Sequence, residues 1–255
     1  MRIVCIHAHP DDAEILAGGT LALLAESGHS ITIVSMTPGD CGSTVHGAEE
    51  IAAIRRKEAA QSASLIGAGY VCAEFRDMAI FNTDDARRRV TELIRKARPD
   101  IVLTAAPVDY HCDHEATSVL VIDACFAASA PNYATTALDA APALAAIPHV
   151  YLVDSIGGVD RFGAAVEPDF VVDVTTTFET KRRMLATHAS QREWLKKQHG
   201  IADPVEAMER WTRARGALVG IDFGEGFRRY AGHPYPESPL LEELLGEKAI
   251  VHRTI

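Results

Sequence analysis

Short apolar runs alternate with amphipathic segments along most of the chain. Runs of four to six mostly apolar residues occur at 3–6, 31–36, 70–75, 101–105, 149–153 and 170–174. Such continuous runs are typical of strands that are buried on both faces of a sheet. The segments between them have helical spacing of apolar residues or helix start and stop signals, and predict helices at 21–28, 48–66, 83–97, 115–128 and 175–197.

Strands separated by helices of this length predict βαβ units and a mainly parallel sheet with helices on both faces, a Rossmann-like α/β fold. The 255 residues are enough for one such domain with a full core. We therefore expect a single domain over residues 1–255. The Ala/Pro-rich segment 129–148 is predicted to be an excursion from it. Residues 198–255, with a helix-like stretch near 207–214, are predicted to be a C-terminal extension of the same domain.

Composition and charge narrow the classes of partner. The net charge of −10 disfavours nucleic acid, because the chain would repel a phosphate backbone. No apolar run reaches the roughly 18 residues of a membrane span, and the N-terminus lacks the pattern of a signal peptide. The five cysteines are odd in number and have no Cys-x-x-Cys spacing, which favours a reduced cytoplasm. We expect a cytoplasmic protein that acts on a small molecule, without a membrane partner.

The most informative polar segment, His9-Pro10-Asp11-Asp12-Ala13-Glu14, follows the first apolar run directly. A dinucleotide-binding fold would place Gly-x-Gly-x-x-Gly here, so that kind of site is disfavoured. Ligands of open α/β sheets bind at the carboxyl ends of strands, where this segment is predicted to lie. Three carboxylates so close together repel one another, and a divalent cation would offset that repulsion.

A second polar cluster, residues 109–115, follows the fourth apolar run. The sheet could bring both clusters together at the carboxyl ends of its strands. His9, Asp12 and His114 would then supply two nitrogens and one carboxylate, which is the donor set of a catalytic metal site with an open position. Zn²⁺ suits these donors best, and Fe²⁺ or another divalent ion is the alternative. One polar residue at a strand end is usually a cap, but two such clusters are hard to explain by capping.

The motifs resemble those of the PIG-L/LmbE-like deacetylases, zinc-dependent enzymes that remove acetyl groups from N-acetylglucosamine derivatives. The resemblance spans most of the chain and rests first on residues 8–14 with Gly18-Gly19-Thr20, and on His111-x-Asp113-His114. Further matches are Arg55-x-x-Glu58, Thr37-x-Gly39-Asp40-x-Gly42, His188-Ala189-Ser190-Gln191 and, more weakly, residues 223–227. One departure is Cys112, which stands where the family usually has proline.

The resemblance implies a role for each motif residue. His9, Asp12 and His114 would hold the metal. Asp11 would be the general base, taking a proton from water and passing it to the leaving amine. His111, as an imidazolium, would stabilise the oxyanion, and Asp113 would orient it and raise its pKa.

Three further expectations are less direct. The resemblance implies that Arg55 and Asp40 contact polar groups of the substrate. Glu14 is expected to serve the helix start or to support the site from behind, without binding the metal. Some relatives form trimers or hexamers, so a homo-oligomer is expected on the resemblance alone.

The sequence thus predicts a metal-dependent hydrolase that removes an acyl group, in the first place acetyl, from an N-acylated amino sugar or related small molecule. Three alternatives stay open at this stage. The enzyme could be an amidase acting on a thiol conjugate or another small-molecule amide. The chain could be a nucleotide-binding Rossmann module without catalysis. It could also be a relative that binds metal but has lost activity, although its metal and base residues are complete.

Overall fold

The computed structural model describes residues 1–135 and 137–251, with the backbone alone for residues 193, 199 and 251. Its strands are β1 (Arg2–His7), β2 (Ser30–Ser35), β3 (Gly69–Cys72), β4 (Ile101–Thr104), β5 (His149–Val153), β6 (Phe170–Asp173), β7 (Gly224–Arg229) and β8 (Ala249–Val251). Its α-helices are α1 (Asp12–Glu26), α2 (Ala48–Ser64), α3 (Asp84–Ala97), α4 (Cys112–Ala128), α5 (Phe178–Ala186), α6 (Gln191–His199), α7 (Pro204–Ala217) and α8 (Leu240–Leu245).

All eight strands form one sheet in the order β3-β2-β1-β4-β5-β7-β6-β8. The first five strands are parallel, and β7 pairs antiparallel with both β5 and β6, as β8 does with β6. The predicted α/β fold with a mainly parallel sheet is confirmed. From β1 the chain builds β2 and β3 on one side and then returns to place β4 on the other. The gap between the β1 and β4 carboxyl ends is thus the topological switch point, where such folds bind ligands.

The core forms two apolar layers because alternate residues of each strand point to opposite faces of the sheet. Ile3 and Cys5 pack into one layer with α1, α5 and α8. Val4 and Ile6 pack into the other with α3 and α4. A central strand that is covered on both sides explains why its sequence is apolar at nearly every position.

The structure changes several predicted boundaries. The first helix begins at Asp12, nine residues earlier than the apolar pattern indicated, and continues through Gly18 and Gly19. The helix predicted at 175–197 is two helices, α5 and α6, separated by a turn at residues 187–190. The stretch near 207–214 lies within α7. In the segment 129–148, residue 136 lies outside the described residues.

Strands β7 and β8 were not predicted. The β7 sequence, Gly-Glu-Gly-Phe-Arg-Arg, has no apolar run, because it buries a glutamate and two glycines beside neighbouring side chains. Among the described residues, no helix is both long enough and apolar enough to cross a membrane.

Candidate active site

Two loops meet at the switch point and bring three predicted metal donors together. His9 and Asp12 lie between β1 and the first turn of α1, and His114 lies in the first turn of α4. His9 Nδ1 is 3.3 Å from His114 Nε2 and 3.5 Å from Asp12 Oδ2, and His114 Nε2 is 3.4 Å from the same oxygen. The three donor atoms form a nearly equilateral triangle.

This triangle fits a divalent metal. Ligands at the usual zinc distances in a tetrahedron lie about 3.3 Å apart, which matches the observed separations. The outer nitrogens of the two imidazoles also have partners: His9 Nε2 is 3.3 Å from Asp113 Oδ2, and His114 Nδ1 is 3.1 Å from Asp109 Oδ1. An outer N–H that donates to a carboxylate leaves the lone pair of the inner nitrogen free for a metal.

The electrostatics of the site favour a cation. Burial lowers the pKa of His9, but the hydrogen bonds to Asp113 and Asp12 outweigh burial and raise it to about 9. Burial likewise opposes the charge of His114, and Asp12 and Asp109 raise its pKa to about 10. The carboxylates therefore attract positive charge at the place where the three donors converge.

Asp11 projects into the same cavity from a strained backbone position. Its φ of 105° lies in the left-handed region, which non-glycine residues rarely adopt. Burial raises its pKa to about 6 despite the Arg55 guanidinium, whose Nη2 lies 3.3 Å from Asp11 Oδ2. Such a carboxyl group is ionised at neutral pH and still basic enough to accept a proton, which suits a general base.

Arg55 stabilises the turn at Pro10 and Asp11. It is buried on α2, and its Nη2 donates to the Pro10 carbonyl oxygen at 2.6 Å. The guanidinium fits under the loop that follows β2 because Gly39 lacks a side chain: a Cβ there would lie 2.2 Å from Arg55 Nη1. Arg55 lines the cavity, as a substrate contact would require, but its contacts also make it a support for Asp11.

The structure corrects the predicted relation between His111 and Asp113. His111 Nδ1 accepts the backbone N–H of Asp113 at 3.1 Å and caps α4, so the ring's own proton lies on Nε2. Burial, together with His9 and His114, lowers the pKa of His111, which favours the neutral ring over the predicted imidazolium.

Asp113 supports a different histidine from the one predicted. Its carboxylate accepts the Met78 backbone N–H at 2.7 Å and lies against His9, not against the His111 ring. Its helical position, two residues after His111, turns its side chain away from that ring. Asp113 therefore orients a predicted metal ligand.

Sequence reasoning assigned no role to Asp109, although it belongs to the second polar cluster. Asp109 is buried at the end of the loop after β4, and besides facing His114 it accepts the Ile156 backbone N–H at 3.2 Å. The available signal was a carboxylate in the second polar cluster, five residues before the predicted ligand His114.

Asp40 does not reach the cavity. Its carboxylate accepts the Asp77 backbone N–H at 2.8 Å and pairs with Arg76 at 3.1 Å, and the residue lines a separate surface depression. The predicted substrate contact is therefore not supported, because the loop after β2 turns this side chain away from the metal donors. Asp77, which the sequence did not single out, lines the cavity instead.

Glu14 and His188 form a buried pair behind Asp11. Glu14 Oε1 is 3.1 Å from His188 Nε2, and both side chains are almost inaccessible. Glu14 is thus turned away from the metal donors, as expected. Burial opposes the charge of His188, but the Glu14 and Asp11 carboxylates outweigh burial and raise the pKa of His188.

The site opens into a cavity of about 470 Å³. Its floor carries the histidines and aspartates described above. Trp194 and Trp211 also line it. Cys112 is exposed at the rim of the site, with its Sγ 4.0 Å from Met78 Sδ.

Comparison with known proteins identifies the family of the chain. The family described as PIG-L, GlcNAc-PI de-N-acetylase, matches residues 4–125, which include both polar clusters. The diacetylchitobiose deacetylase of Thermococcus kodakarensis is 33% identical over 197 residues, covering 74% of this chain and 70% of the relative.

Solved structures share the fold. The N,N′-diacetylchitobiose deacetylase of Pyrococcus horikoshii superposes with a TM-score of 0.75 at 29% identity, covering 93% of this chain and 88% of that one. GalB, the 4-carboxy-2-hydroxymuconate hydratase of Pseudomonas putida, superposes with a TM-score of 0.76 at 22% identity, covering 93% and 98%, which shows the fold alone. The sequence match and the shared architecture confirm the predicted family, and the chain belongs to the PIG-L/LmbE-like deacetylase family.

Proposed function

We propose that this protein is a metal-dependent hydrolase that removes the acyl group, preferably acetyl, from the nitrogen of an N-acylated amino sugar. The observation that carries the proposal is the triangle of His9, Asp12 and His114 donors beside the Asp11 carboxylate in one cavity. The relatives named as deacetylases of N-acetylated sugars support the same reaction and substrate class.

His9, Asp12 and His114 would hold Zn²⁺, or Fe²⁺ as the alternative. Such an ion, when bound, lowers the pKa of water toward about 7 and polarises a carbonyl group. Asp113 and Asp109 would keep the imidazoles in the tautomers that bind it.

The proton transfers belong to Asp11. Its carboxylate accepts a proton from the attacking water and later delivers it to the nitrogen of the leaving amine. Arg55 holds the turn that carries Asp11, so the carboxylate stays in place between these two steps. One group thus serves as base and then as acid.

His111 stabilises the developing charge. With its proton on Nε2, the ring donates a hydrogen bond to the substrate carbonyl oxygen as that oxygen becomes negative. A neutral donor suits this place, because burial disfavours the charged form of the His111 ring.

A substrate panel tests the proposal. Zinc-loaded protein is incubated with N-acetylglucosamine, N,N′-diacetylchitobiose and an amino-sugar amide conjugated to a thiol, and release of the free amine is measured. Amine release from the acetylated sugars is expected. Release only from the thiol conjugate would favour the amidase alternative. No release from any amide by fully metal-loaded protein would refute the proposed hydrolysis.

A nucleotide-binding module without catalysis predicts a different result. It would bind no metal and would bind NAD or a nucleotide. Metal analysis of the purified protein, together with nucleotide titration, separates it from the proposed hydrolase.

A further inference from the structure

One side of the active-site cavity has a chemistry that removal of an acetyl group does not require. Besides the histidines and aspartates, half-buried or buried apolar side chains line the cavity, and six of them make up what we call the apolar wall. It consists of Ile15, Trp194, Leu195, Ile201, Pro204 and Trp211, contributed by α1, α6, α7 and the link between the last two. A wall of this kind beside a large cavity favours an apolar ligand group.

Two polar side chains that line the same cavity, Gln191 and Asp77, already have partners within the protein. Gln191 Nε2 donates to the Gly42 carbonyl oxygen at 3.3 Å, and the Asp77 carboxylate accepts the Cys41 backbone N–H at 2.9 Å and the Thr37 hydroxyl. Arg55 is engaged by the turn that carries Asp11. Hydroxyl groups of a second sugar that pressed against the apolar wall would lose several hydrogen bonds to water and could regain only those that the two indole N–H groups donate, which is unfavourable.

We propose that the substrate carries an alkyl or aryl group close to the amide and that this group binds against the apolar wall. This inference rests on the proposed function and refines its substrate class to an N-acyl amino sugar with an apolar substituent. The substituent could be a longer acyl chain or an apolar group on the glycosidic side. The chemistry that the wall recognises is the same in both cases.

A binding experiment tests the wall without relying on catalysis. The chain has two tryptophans and both line the cavity, so a change in indole fluorescence reports directly on occupancy there. The probes are methyl and hexyl β-D-glucoside, which have no amide to hydrolyse. Full burial contributes about fourfold in affinity per methylene, so hexyl glucoside is expected to bind at least about tenfold more tightly. Equal affinities for the two glucosides would overturn the inference.

Substitution of Trp211 tests whether the apolar wall causes the preference for hexyl glucoside. In Trp211→Ala, Trp194 remains as the reporter, and the preference for hexyl over methyl glucoside is expected to fall severalfold. Phe162→Ala is the matched control, because this exposed aromatic side chain lies outside the cavity lining, and it should keep the full preference. An unchanged preference in a folded Trp211→Ala would overturn the inference. If that variant does not fold, the titration of the unaltered protein still decides.

Two substrate series, measured with zinc-loaded protein, determine on which side of the amide the apolar group of the substrate lies. The first compares methyl and hexyl β-glycosides of N-acetylglucosamine, and the second compares N-acetyl with N-hexanoyl glucosamine. A rise in kcat/KM in the first series places the apolar group on the glycosidic side, and a rise in the second places it on the acyl side. A rise in neither, with hydrolysis otherwise intact, would overturn the inference. Absence of hydrolysis in both series, with hexyl glucoside still bound, would instead refute the proposed function.

Discussion

At the residue scale, the adjacent carboxylates of Asp11 and Asp12 have different roles because their side chains face different neighbours. Asp12 faces the two imidazoles, which hold the pKa of its buried carboxyl well below the usual range. Asp11, one residue earlier, faces Arg55 and the cavity, and burial raises its pKa. The left-handed backbone at Asp11 turns the two side chains apart. Such strain costs on the order of 1–3 kcal/mol and is typical of functional positions.

Alanine substitutions of the proposed base and of one proposed metal ligand distinguish metal binding from turnover. Asp11→Ala is expected to retain the metal and to lose turnover, because it removes only the base. His114→Ala should lose both, because it removes a donor. Metal content by elemental analysis and amine release are measured together, with exposed Asp85→Ala as the control that keeps both. Full activity in Asp11→Ala would disprove its assignment as the base.

The titration of Asp11 predicts the acid limb of the pH profile. The carboxylate must be ionised to accept a proton, so kcat/KM is expected to fall as the pH drops through the pKa of Asp11. Burial places that pKa at about 6, and a cation beside Asp12 moves it lower. The limb should therefore lie at or below about pH 6. A rate that rises as the pH falls through this range would contradict the role of Asp11.

Substitution of Asp109 tests whether its carboxylate supports His114 as a metal ligand. Asp109→Asn preserves size and removes the charge that faces His114 Nδ1. Loss of such a partner typically costs 10–100-fold in metal affinity or activity. We expect a metal Kd weakened about tenfold or more, measured by competition with a chelator. Asp100→Asn, outside the site, serves as the control. An unchanged Kd would show that Asp109 does not support the ligand.

At the scale of elements, a buried ion pair ties the C-terminal part of the chain to the first helix. The Glu225 carboxylate on β7 accepts the backbone N–H groups of Gly19 and Thr20 on α1, each at 2.8 Å. It also binds Lys181 Nζ on α5 at 2.6 Å, and both charged side chains are almost fully buried. These contacts place β7 within the same sheet and core as the N-terminal elements.

This pair predicts a large loss of stability on removal of its cation. Lys181→Met would leave the Glu225 charge buried and uncompensated, which costs about 3–5 kcal/mol. The free energy of unfolding is measured by urea denaturation, with exposed Lys196→Met as the control. The double variant with Glu225→Gln should recover part of the loss, because it removes the unpaired charge. A loss below about 1 kcal/mol in Lys181→Met would contradict the account.

At the scale of the whole molecule, the site joins two loops that are about a hundred residues apart in sequence. His9 and Asp12 come from one loop and His114 from the other, and an ion held by all three would link both halves of the parallel sheet. Binding to the folded state alone stabilises that state by mass action.

Metal removal is therefore expected to lower the Tm. Free metal at about 1,000 times its Kd contributes roughly 4 kcal/mol, which corresponds to roughly 8 °C or more for a chain of this size. Thermal unfolding followed by circular dichroism, with and without a chelator, measures the shift. His114→Ala should show little dependence on the chelator. An unaltered protein whose Tm does not respond to the metal would argue against a site shared by the two loops.

The sequence by itself determined the fold class, the family and the positions of the two polar clusters. These are local properties: apolar runs indicate buried strands, and the residues that follow a parallel strand lie at its carboxyl end. The tertiary structure alone decided which carboxylate faces which histidine, so that Asp113 supports His9 and Asp109 supports His114. It also moved Asp40 away from the cavity and placed Trp194 and Trp211 on its wall. Side-chain directions and cavity walls arise from the packing of distant elements, which a local pattern does not encode.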